Sequence, residues 1–389
     1  MSRGRSPVTA GRRARPQRPL DERLVGGNRA TLLRDGREAF PAMLEAIAGA
    51  RDQVLLEMYW FDSDRVGRRF ATALGAAARR GVEVALMYDS FGSAAADRRM
   101  FAELEASGAR VHEVNPIAPW RDRFELTTLL RRTHRKLLVV DGRAGFTGGI
   151  NLADQWLPEE DGGDGWRDDA VRIEGPVAAQ LVELFARAWE RGGRGALRRL
   201  PVAAPVGTHQ ARVLGERWFR SQLSIVRAYV HHIATATRRV WITNSYFLPS
   251  SGVLKALTRA AARGVDVRVL LPGTSDVEVV RRAARASYDR LLSGRVRIFE
   301  WYGRVLHAKT ALVDDDWCTI GSFNLDHLSL RYNLELSLTV ADPGFVGELA
   351  RSFLDDLESS REVRREAHLA RSRVERAIDW ALYRARSLM

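Results

Sequence analysis

The sequence is poor in several features that would each assign it to a particular class of protein. Its 389 residues include one cysteine, Cys318, which excludes an intramolecular disulfide and a metal site of several thiolates and suits a reducing cytoplasm. No run of about 18 apolar residues occurs, so no membrane-spanning helix is predicted. Residues 1–23 are basic but lack the apolar core of a secretory signal and the amphipathic face of a transit peptide, so we expect a disordered arm.

Acidic residues are outnumbered by basic ones. The 61 Lys and Arg residues and 48 Asp and Glu residues give a formal net charge of +13. Such a charge favours a polyanionic partner, which is either nucleic acid or an anionic lipid surface. Charge alone does not choose between the two partners. The hydrophobic fraction, 46%, is ordinary for a globular protein with a substantial core.

The two halves of the chain repeat one pattern of predicted elements. The first half reads AIAGARDQVLLEMYWFDSD and then ATALGAAARRGVEVALMYD, and the second reads HIATATRRVWITNSYFLPS and then LKALTRAAARGVDVRVLLPG. Each is a helix end, a strand, an Ala/Arg-rich helix, a glycine turn and another strand. This predicts an α/β fold of two duplicated lobes related by a pseudo-twofold axis. The predicted units are lobes at 24–195 and 233–360, an inter-lobe connection at 196–232 and a C-terminal helix within 361–389.

Each half also contains the spacing H-x-K-x-x-x-x-D, within HRKLLVVD and HAKTALVD. Because side chains alternate along a strand, His134 and Lys136 share one face, as do His307 and Lys309. The aspartate of each copy falls on the opposite face, so we expect it to hold the strand end or a turn rather than contact the histidine. These aspartates are Asp141 and Asp314.

A short strand follows each motif and ends in Gly-Gly-Ile-Asn or Gly-Ser-Phe-Asn. Glycine permits close approach of the backbone there, while Ser and Asn can donate hydrogen bonds to an anion. The residues concerned are Gly149, Asn151, Ser322 and Asn324. A carboxylate on a neighbouring strand, Asp168 or Glu335, could orient each imidazole and fix its tautomer.

The side chains of one lobe form a coherent chemical set. Histidine can act as a nucleophile or acid near neutral pH, and lysine supplies a charge for phosphoryl oxygens. With an amide and an orienting carboxylate, the set suits a phosphodiester and needs no metal or other cofactor. One H-x-K is commonplace, but two complete copies at matching distances exclude chance. The histidines expected to be structural or superficial are His112, His231, His232 and His327.

HRKLLVVDG…GGIN and HAKTALVDDDWCTIGSFN resemble the paired HKD motifs of the phospholipase D superfamily. GNRATLLRDGREAFPAMLEAI, EMYWFDSDRVG, SYFLP and LHAKTALVDDDWCTIGSFNLDHLSLRYNLELSLTVAD are similar to segments of bacterial cardiolipin synthases. The similarity runs from about Gly26 to the final helix. It implies that each lobe is an αβα sandwich and that both motifs meet at the lobe interface to form one active site.

The resemblance further implies a phosphatidyltransferase that condenses phosphatidylglycerol with a second phospholipid. His134 and His307 would be the nucleophile and the acid–base of a reaction with a covalent intermediate, Lys136 and Lys309 would bind phosphate, and Asn151 and Asn324 would assist. The rival is a phosphodiesterase of the same superfamily, either a lipid hydrolase or a nuclease, because transfer and hydrolysis differ only in whether an alcohol or water attacks. A non-catalytic nucleic-acid-binding protein is the third hypothesis, but both catalytic sets are intact, so no nucleic acid partner is expected.

The sequence contains no counterpart of the membrane-spanning hairpin that many cardiolipin synthases carry. We therefore expect a cytoplasmic protein that binds anionic phospholipid peripherally, on the inner face of the bacterial cell membrane. The segment AHLARSRVERAIDWALYRARSLM predicts a basic amphipathic helix that either lies in an anionic leaflet or docks on the lobes. Its apolar face comprises Val374, Ile378, Ala381, Leu382, Ala385 and Leu388. Further candidate membrane contacts are Arg12, Arg13, Arg15, Arg18 and the stretch WRDRFELTTLL at 120–130.

Overall fold

A computed structural model describes residues 23–117, 131–215 and 223–386. The arm arginines, the stretch at 120–130 and Leu388 lie outside the described residues. The strands are β1 (Val25–Arg34), β2 (Gln53–Met58), β3 (Glu83–Asp89), β4 (Arg110–Val114), β5 (Lys136–Val140), β6 (Ala144–Gly148), β7 (Asp169–Glu174), β8 (His209–Leu214), β9 (Arg239–Asn244), β10 (Asp266–Pro272), β11 (Arg297–Trp301), β12 (Lys309–Val313), β13 (Trp317–Gly321), β14 (Ser337–Ala341) and β15 (Ser360–Glu362). The helices are α1 (Asp35–Ala48), α2 (Arg65–Arg79), α3 (Arg98–Ala106), α4 (Ala178–Arg191), α5 (Leu223–Thr235), α6 (Ser251–Ala262), α7 (Glu278–Arg285), α8 (Tyr288–Ser293), α9 (His327–Arg331), α10 (Pro343–Glu358), α11 (Arg365–Leu369) and α12 (Arg373–Arg384).

The strands have the same order in both halves of the chain. The first half runs β4-β3-β2-β5-β6-β7-β1, and the second runs β11-β10-β9-β12-β13-β14-β8, with β15 added at its edge. Strands β2, β3 and β4 pair in parallel, as do β9, β10 and β11. Strands β1 and β8 pair antiparallel and join the two halves. The predicted α/β fold with duplicated lobes is therefore confirmed.

The repeated sequence pattern forms the elements that it predicts. In the first lobe β2 leads into α2, and the chain then turns at Gly81 before β3. In the second lobe β9, α6, Gly264 and β10 follow in the same order. Gly81 and Gly264 adopt φ values of 87° and 93°, a left-handed conformation that favours glycine. A glycine thus ends the same helix–turn unit in each copy.

Helices cover the sheet on both faces because its inner strands, such as β2, β5, β12 and β13, bury their side chains on both sides. In the first lobe α1 and α2 contribute Phe40 and Phe70 to the core on one face. Helices α5 and α6 build the matching core of the second lobe. A third cluster combines Trp189 of α4 with Phe353 of α10 and draws residues from both lobes. The lobes therefore share a continuous apolar layer next to the ends of the motif strands.

The region 196–232, predicted as an inter-lobe connection, contains a strand and part of a helix. Strand β8 pairs with β14 along its length and occupies the place in the second lobe that β1 occupies in the first. Helix α5 also begins within this region, at Leu223. The structure therefore assigns part of the predicted connection to the second lobe.

A buried arginine links the two lobes. Arg167 lies just before β7 in the first lobe, and its Nε is 2.9 Å from Oδ1 of Asp356 on α10 of the second. Its guanidinium also lies 2.8 Å from Asp169 and 3.3 Å from Asp35. Ser352 of α10 accepts a further bond at 2.8 Å. A buried guanidinium needs such partners, so this cluster favours one relative position of the lobes.

The C-terminal helix α12 docks through an acidic residue. Asp379 is buried and lies 3.2 Å from Arg282 of α7 and 2.7 Å from Arg371. Of the predicted apolar face, Leu382 packs against the second-lobe core, whereas Val374 and Ile378 are exposed. The predicted helix thus docks on the lobe and still presents apolar side chains to the surroundings. Within the described ranges, no helix is both long and apolar enough to cross a membrane.

Candidate active site

The two histidines immediately precede matching strands. His134 lies before β5 and His307 lies before β12, so each lysine begins a strand. Lys136 Nζ donates to the carbonyl oxygen of His134 at 2.9 Å, and Lys309 Nζ donates to that of His307. All four side chains are buried. The ammonium group and imidazole of each motif therefore lie close together, as strand alternation predicts.

The backbone of each motif is joined to the opposite lobe. The His134 N–H donates to the carbonyl oxygen of Leu334 at 2.9 Å, and the His307 N–H donates to that of Arg167 at 2.7 Å. Two short parallel bridges, Thr133 with Leu334 and Arg167 with Leu306, mark the same contacts. Each histidine thus lies at a seam between lobes.

The carboxylates pair with the histidines across this seam. His134 Nδ1 lies 3.0 Å from Oε1 of Glu335, and His307 Nδ1 lies 2.7 Å from Oδ2 of Asp168. The sequence left open which carboxylate meets which imidazole, and the structure pairs each imidazole with the carboxylate of the opposite lobe. The backbone bridges explain this pairing. They place Leu334, the residue before Glu335, beside the first motif, and Arg167, the residue before Asp168, beside the second.

Each carboxylate has additional hydrogen-bond donors. Glu335 accepts a bond from the Ser322 hydroxyl, and Asp168 accepts one from Trp156 Nε1 at 3.0 Å. Ser322, expected to face a bound anion, therefore supports a protein carboxylate. Gly149 is the counterpart of Ser322, and a Cβ there would lie 2.2 Å from Oδ1 of Asp168. Any side chain at position 149 would collide with the Asp168 carboxylate, so glycine is required there.

The ionisation of each pair follows from burial and mutual attraction. Burial lowers the pKa of His134 to about 4 and also lowers the pKa of His307. Burial alone would raise the pKa of Glu335 and of Asp168, but the attraction and hydrogen bond of the paired histidine, together with the nearby lysine, lower it. Each pair is thus a neutral imidazole that donates its Nδ1–H to a carboxylate. This tautomer leaves the Nε2 lone pair free to react.

The lysines are also affected by burial. It lowers the pKa of Lys136 to about 7 and that of Lys309 to about 8. A bound anion would favour the charged form of both ammonium groups. The pair is therefore suited to a negatively charged phosphoryl group.

The asparagines occupy matching places beside the motifs. The Oδ1 atom of Asn151 accepts from the Trp60 N–H at 3.2 Å, and that of Asn324 accepts from the Ser245 hydroxyl at 2.9 Å. Among the described residues, no protein group accepts a hydrogen bond from either side-chain amide nitrogen. Both amide groups can therefore donate to a ligand.

The motif aspartates stabilise turns away from the imidazoles. Asp141 accepts bonds from the backbone N–H groups of residues 51, 52 and 53. Asp314 accepts from those of residues 237, 238 and 239. Both aspartates have φ of 51°, in the left-handed region. Strand alternation predicted this separation from the histidines.

Aromatic rings around the histidines were not predicted as site residues. The Tyr59 ring centroid lies 4.8 Å from that of His134, and those of Trp156 and Trp166 lie 5.3 and 5.7 Å from that of His307. A signal was present in the sequence, because Tyr59 directly follows β2 and Trp166 directly precedes Arg167-Asp168. Each histidine therefore has a phenol ring nearby, since the Tyr246 ring centroid lies 6.3 Å from that of His307, but only His307 also has two indole rings beside it.

Two of the histidines that the sequence predicts to be structural pack against tryptophan rings. His232 stacks on Trp317, and His112 packs against Trp189. Within the ranges that the structure describes, no three His, Cys, Asp or Glu side chains are grouped so that they could hold a metal ion. The prediction that no metal is used stays a prediction.

The sequence is similar to known proteins over most of its length. A family model described as "Cardiolipin synthase, PLD-like domain" matches residues 43–189 and 229–357. Cardiolipin synthase A of Pseudomonas putida is 37% identical over 349 residues, which cover 88% of this chain and 71% of that protein. Cardiolipin synthase B of Salmonella typhimurium is 36% identical over 331 residues, 82% of this chain and 78% of that protein.

Solved structures show the same fold at low sequence identity. Phosphatidylserine synthase of Haemophilus influenzae superposes with a TM-score of 0.69 at 12% identity and covers 92% of this chain and 95% of its own. Polyphosphate kinase of Porphyromonas gingivalis gives a TM-score of 0.57 at 13% identity, over 93% of this chain and 56% of its own. With two matched domains and relatives similar over most of their length, the chain belongs to the cardiolipin synthase family of phospholipase D-like enzymes.

Proposed function

We propose that this enzyme transfers the phosphatidyl group of phosphatidylglycerol to a second phospholipid and so forms cardiolipin. The observation that carries the proposal is the pair of buried histidines, each bonded through Nδ1 to a carboxylate of the opposite lobe. Because each seam contains groups of both lobes, the arrangement supports one composite site in which both imidazoles act.

The first half-reaction forms a covalent intermediate. Nε2 of His134 attacks the phosphorus of phosphatidylglycerol, and the bond from phosphorus to the glycerol oxygen breaks. Protonated His307 gives its proton to that oxygen, and glycerol leaves. His307 is neutral in the free enzyme, and the negative charge of the bound phosphodiester favours its protonated form. Asp168 then stabilises the imidazolium.

The second half-reaction reverses these roles. Neutral His307 removes the proton from a hydroxyl group of the second phospholipid. The resulting oxygen attacks phosphorus, and the bond from phosphorus to His134 breaks. Protons and charges balance over the cycle, because the proton that leaves with glycerol is recovered from the incoming alcohol. Phosphatidylglycerol and a free alcohol both offer such a hydroxyl group, whereas phosphatidylethanolamine ends in an amine and could serve only as a phosphatidyl donor, with ethanolamine as the leaving group.

The remaining motif groups have supporting roles in this proposal. Lys136 and Lys309 neutralise the non-bridging oxygens, and the side-chain amides of Asn151 and Asn324 donate to them. A cavity of about 570 Å³ is lined by Trp166 of the first lobe and Val305 of the second, and the Trp166 ring centroid lies 5.7 Å from that of His307. We assign it to the incoming phospholipid, because Trp166 connects it to the imidazole that deprotonates the acceptor.

The substrate places the enzyme at a membrane surface. We propose peripheral binding to anionic phospholipid on the cytoplasmic face of the bacterial cell membrane. The net charge of +13 supports this, because basic residues are attracted to anionic leaflets.

The test uses purified full-length protein with phosphatidylglycerol vesicles and, separately, with single-stranded DNA, with chelator present in both. We expect glycerol release with matching cardiolipin formation and no DNA cleavage. Phosphatidic acid without cardiolipin would show that water is the acceptor and would contradict transfer. DNA cleavage without lipid turnover would show a nuclease and would contradict a lipid substrate altogether.

A further inference from the structure

The C-terminal helix α12 forms one wall of a basic cavity away from the motif histidines. The cavity, about 520 Å³, lies between α12, α11 and the α7–α8 region. Its charged lining comprises Arg285, Asp289, Arg371, Arg373, Arg376 and Asp379. Four guanidinium groups therefore face two carboxylates, which leaves an excess of positive charge.

Several of these charges are already paired. Asp379 lies 2.7 Å from Arg371, and Asp289 lies 3.0 Å from Arg365 outside the cavity. Arg285 lies 3.1 Å from Glu300. Neither Arg373 nor Arg376 forms an ion pair with any residue that the structure describes. Among the described residues, Arg376 donates only to the carbonyl oxygen of Leu369, from Nη1 at 3.5 Å, so both guanidinium groups retain donors for an anionic ligand.

The position of α12 is fixed by its acidic anchor. Asp379 is only 2% exposed and contacts arginines of both α7 and the segment before α12. A buried carboxylate with two guanidinium partners holds the helix in one orientation. Arg373 and Arg376 are thus presented at the cavity by a docked helix.

The same helix exposes apolar side chains beside the cavity. Val374 and Trp380 are 69% and 60% exposed, and Ile378 is also exposed. Val374 and Ile378 are four residues apart and share one helical face. Arginine next to exposed aliphatic and indole side chains is typical of a membrane interface.

We propose that this cavity binds the phosphate group of an anionic phospholipid in a bilayer, while Val374, Ile378 and Trp380 contact the adjoining interfacial layer. Arg373 and Arg376 donate to the phosphate oxygens. The exposed apolar strip favours lipid over free phosphate, which has no apolar surface, and over nucleic acid, whose bases stack on aromatic rings rather than on aliphatic side chains such as Val374 and Ile378. This headgroup site rests on the proposed action at an anionic membrane, and it is separate from the catalytic pairs.

The test compares Arg373→Gln/Arg376→Gln with wild type in co-sedimentation with vesicles of phosphatidylcholine containing phosphatidylglycerol. We expect partitioning about thirtyfold weaker, the effect of two basic residues close to an anionic surface. The matched control is Arg68→Gln/Arg69→Gln, which removes the same charge from two exposed arginines of α2 in the other lobe. We expect the control to weaken partitioning by less than about threefold, since exposed charges beyond a Debye length are screened. Equal losses in both double variants, or no loss in the first, would overturn the headgroup site.

A second pair of measurements distinguishes the sources of phosphate. Titration calorimetry with inorganic phosphate and with glycerol phosphate should detect at most weak binding, and Ile378→Ser/Trp380→Ser should weaken vesicle binding while both arginines remain. Tight binding of inorganic phosphate with unchanged vesicle binding in the serine variant would show a soluble-anion site. Single-stranded DNA that competes more strongly than vesicles would show a nucleic-acid site. Either result would overturn a lipid occupant.

Activity on detergent-solubilised phosphatidylglycerol separates this site from the proposed reaction. We expect Arg373→Gln/Arg376→Gln to retain wild-type turnover in micelles while it loses turnover on vesicles. If the wild-type protein binds vesicles but forms no cardiolipin, the proposed reaction would be contradicted and the headgroup site would stand. If Arg373→Gln/Arg376→Gln turns over in micelles and also binds vesicles as tightly as wild type, the headgroup site would be contradicted and the proposed reaction would stand.

Discussion

His134 Nδ1 lies 3.0 Å from Oε1 of Glu335, a carboxylate that follows it by 201 residues and belongs to the other lobe. The second pair, His307 with Asp168, repeats this crossed arrangement at 2.7 Å. Each imidazole is therefore oriented only when both lobes are in place. Neither lobe alone completes a histidine–carboxylate pair, which supports the proposal that the duplicated lobes form one composite site.

The crossed pairs predict which variants share a defect. Glu335→Gln should impair the step that His134 performs, and Asp168→Asn should impair the step that His307 performs. In each variant a neutral amide replaces the ionised carboxylate that fixes the tautomer of the imidazole. We expect losses of roughly 10²–10⁴-fold in turnover, the range of general acid–base contributions. Acid-quenched labelling with radioactive phosphatidylglycerol measures the covalent intermediate in each variant. If the covalent labelling of Glu335→Gln matched that of the His307 variant instead, the crossed assignment would be contradicted.

The order of the histidines gives a second prediction. If His134 is the nucleophile, His307→Ala should still form a phosphatidyl-enzyme slowly from a substrate with a good leaving group, and it should then stall. His134→Ala should form none, because the attacking nitrogen is absent. The measurement is covalent lipid retained on acid-denatured protein. Retention by His134→Ala but not by His307→Ala would reverse the order.

The lowered pKa values predict proton uptake when an anion binds. His307, whose pKa is lowered by burial, is neutral at pH 7, and Lys136, with a pKa of about 7, is only partly charged. A bound phosphate raises both pKa values, so protons are taken up and affinity should strengthen as pH falls from about 8 to about 6. Titration calorimetry with orthovanadate in buffers of different ionisation enthalpy measures the uptake. Equal enthalpies in all buffers would contradict the assigned protonation states.

The motif aspartates should affect stability rather than chemistry. Each of these carboxylates accepts hydrogen bonds from three backbone N–H groups. Asp141→Asn and Asp314→Asn replace the charged acceptor with a neutral amide and so weaken these bonds. We expect each to lower the free energy of unfolding by about 1–3 kcal/mol, the effect of bonds to a charged acceptor. Turnover per folded molecule should stay near wild type. Loss of turnover with unchanged urea unfolding would place these carboxylates in the reaction instead.

Local sequence patterns predict the duplicated fold and half of the site. Apolar alternation and the glycine turns identify matching strands and helices, and alternation along β5 and β12 places each lysine with its histidine. The same alternation separates Asp141 and Asp314 from the imidazoles. All these relationships lie within one element or between neighbouring elements, where the chain geometry itself fixes which side chains meet.

The relationships that the sequence does not reveal are tertiary. Glu335 and Asp168 each lie eight residues before a proline, so the pattern within one lobe cannot tell which histidine either will meet. The pairing depends on the inter-lobe bridges and on the buried Arg167 cluster, which no periodicity indicates. Burial of Asp379 was likewise unexpected, because an acidic residue on a basic helix normally faces water.

The turnover of His134→Ala, His307→Ala and the double variant, on phosphatidylglycerol vesicles, tests the single composite site most directly. Groups that act as a unit lose most of the rate when either is removed, so each single variant should be nearly inactive and the double variant little worse. Unchanged thermal unfolding of each variant ensures that the loss is chemical. About half of the wild-type turnover in each single variant would show two independent sites and contradict the account.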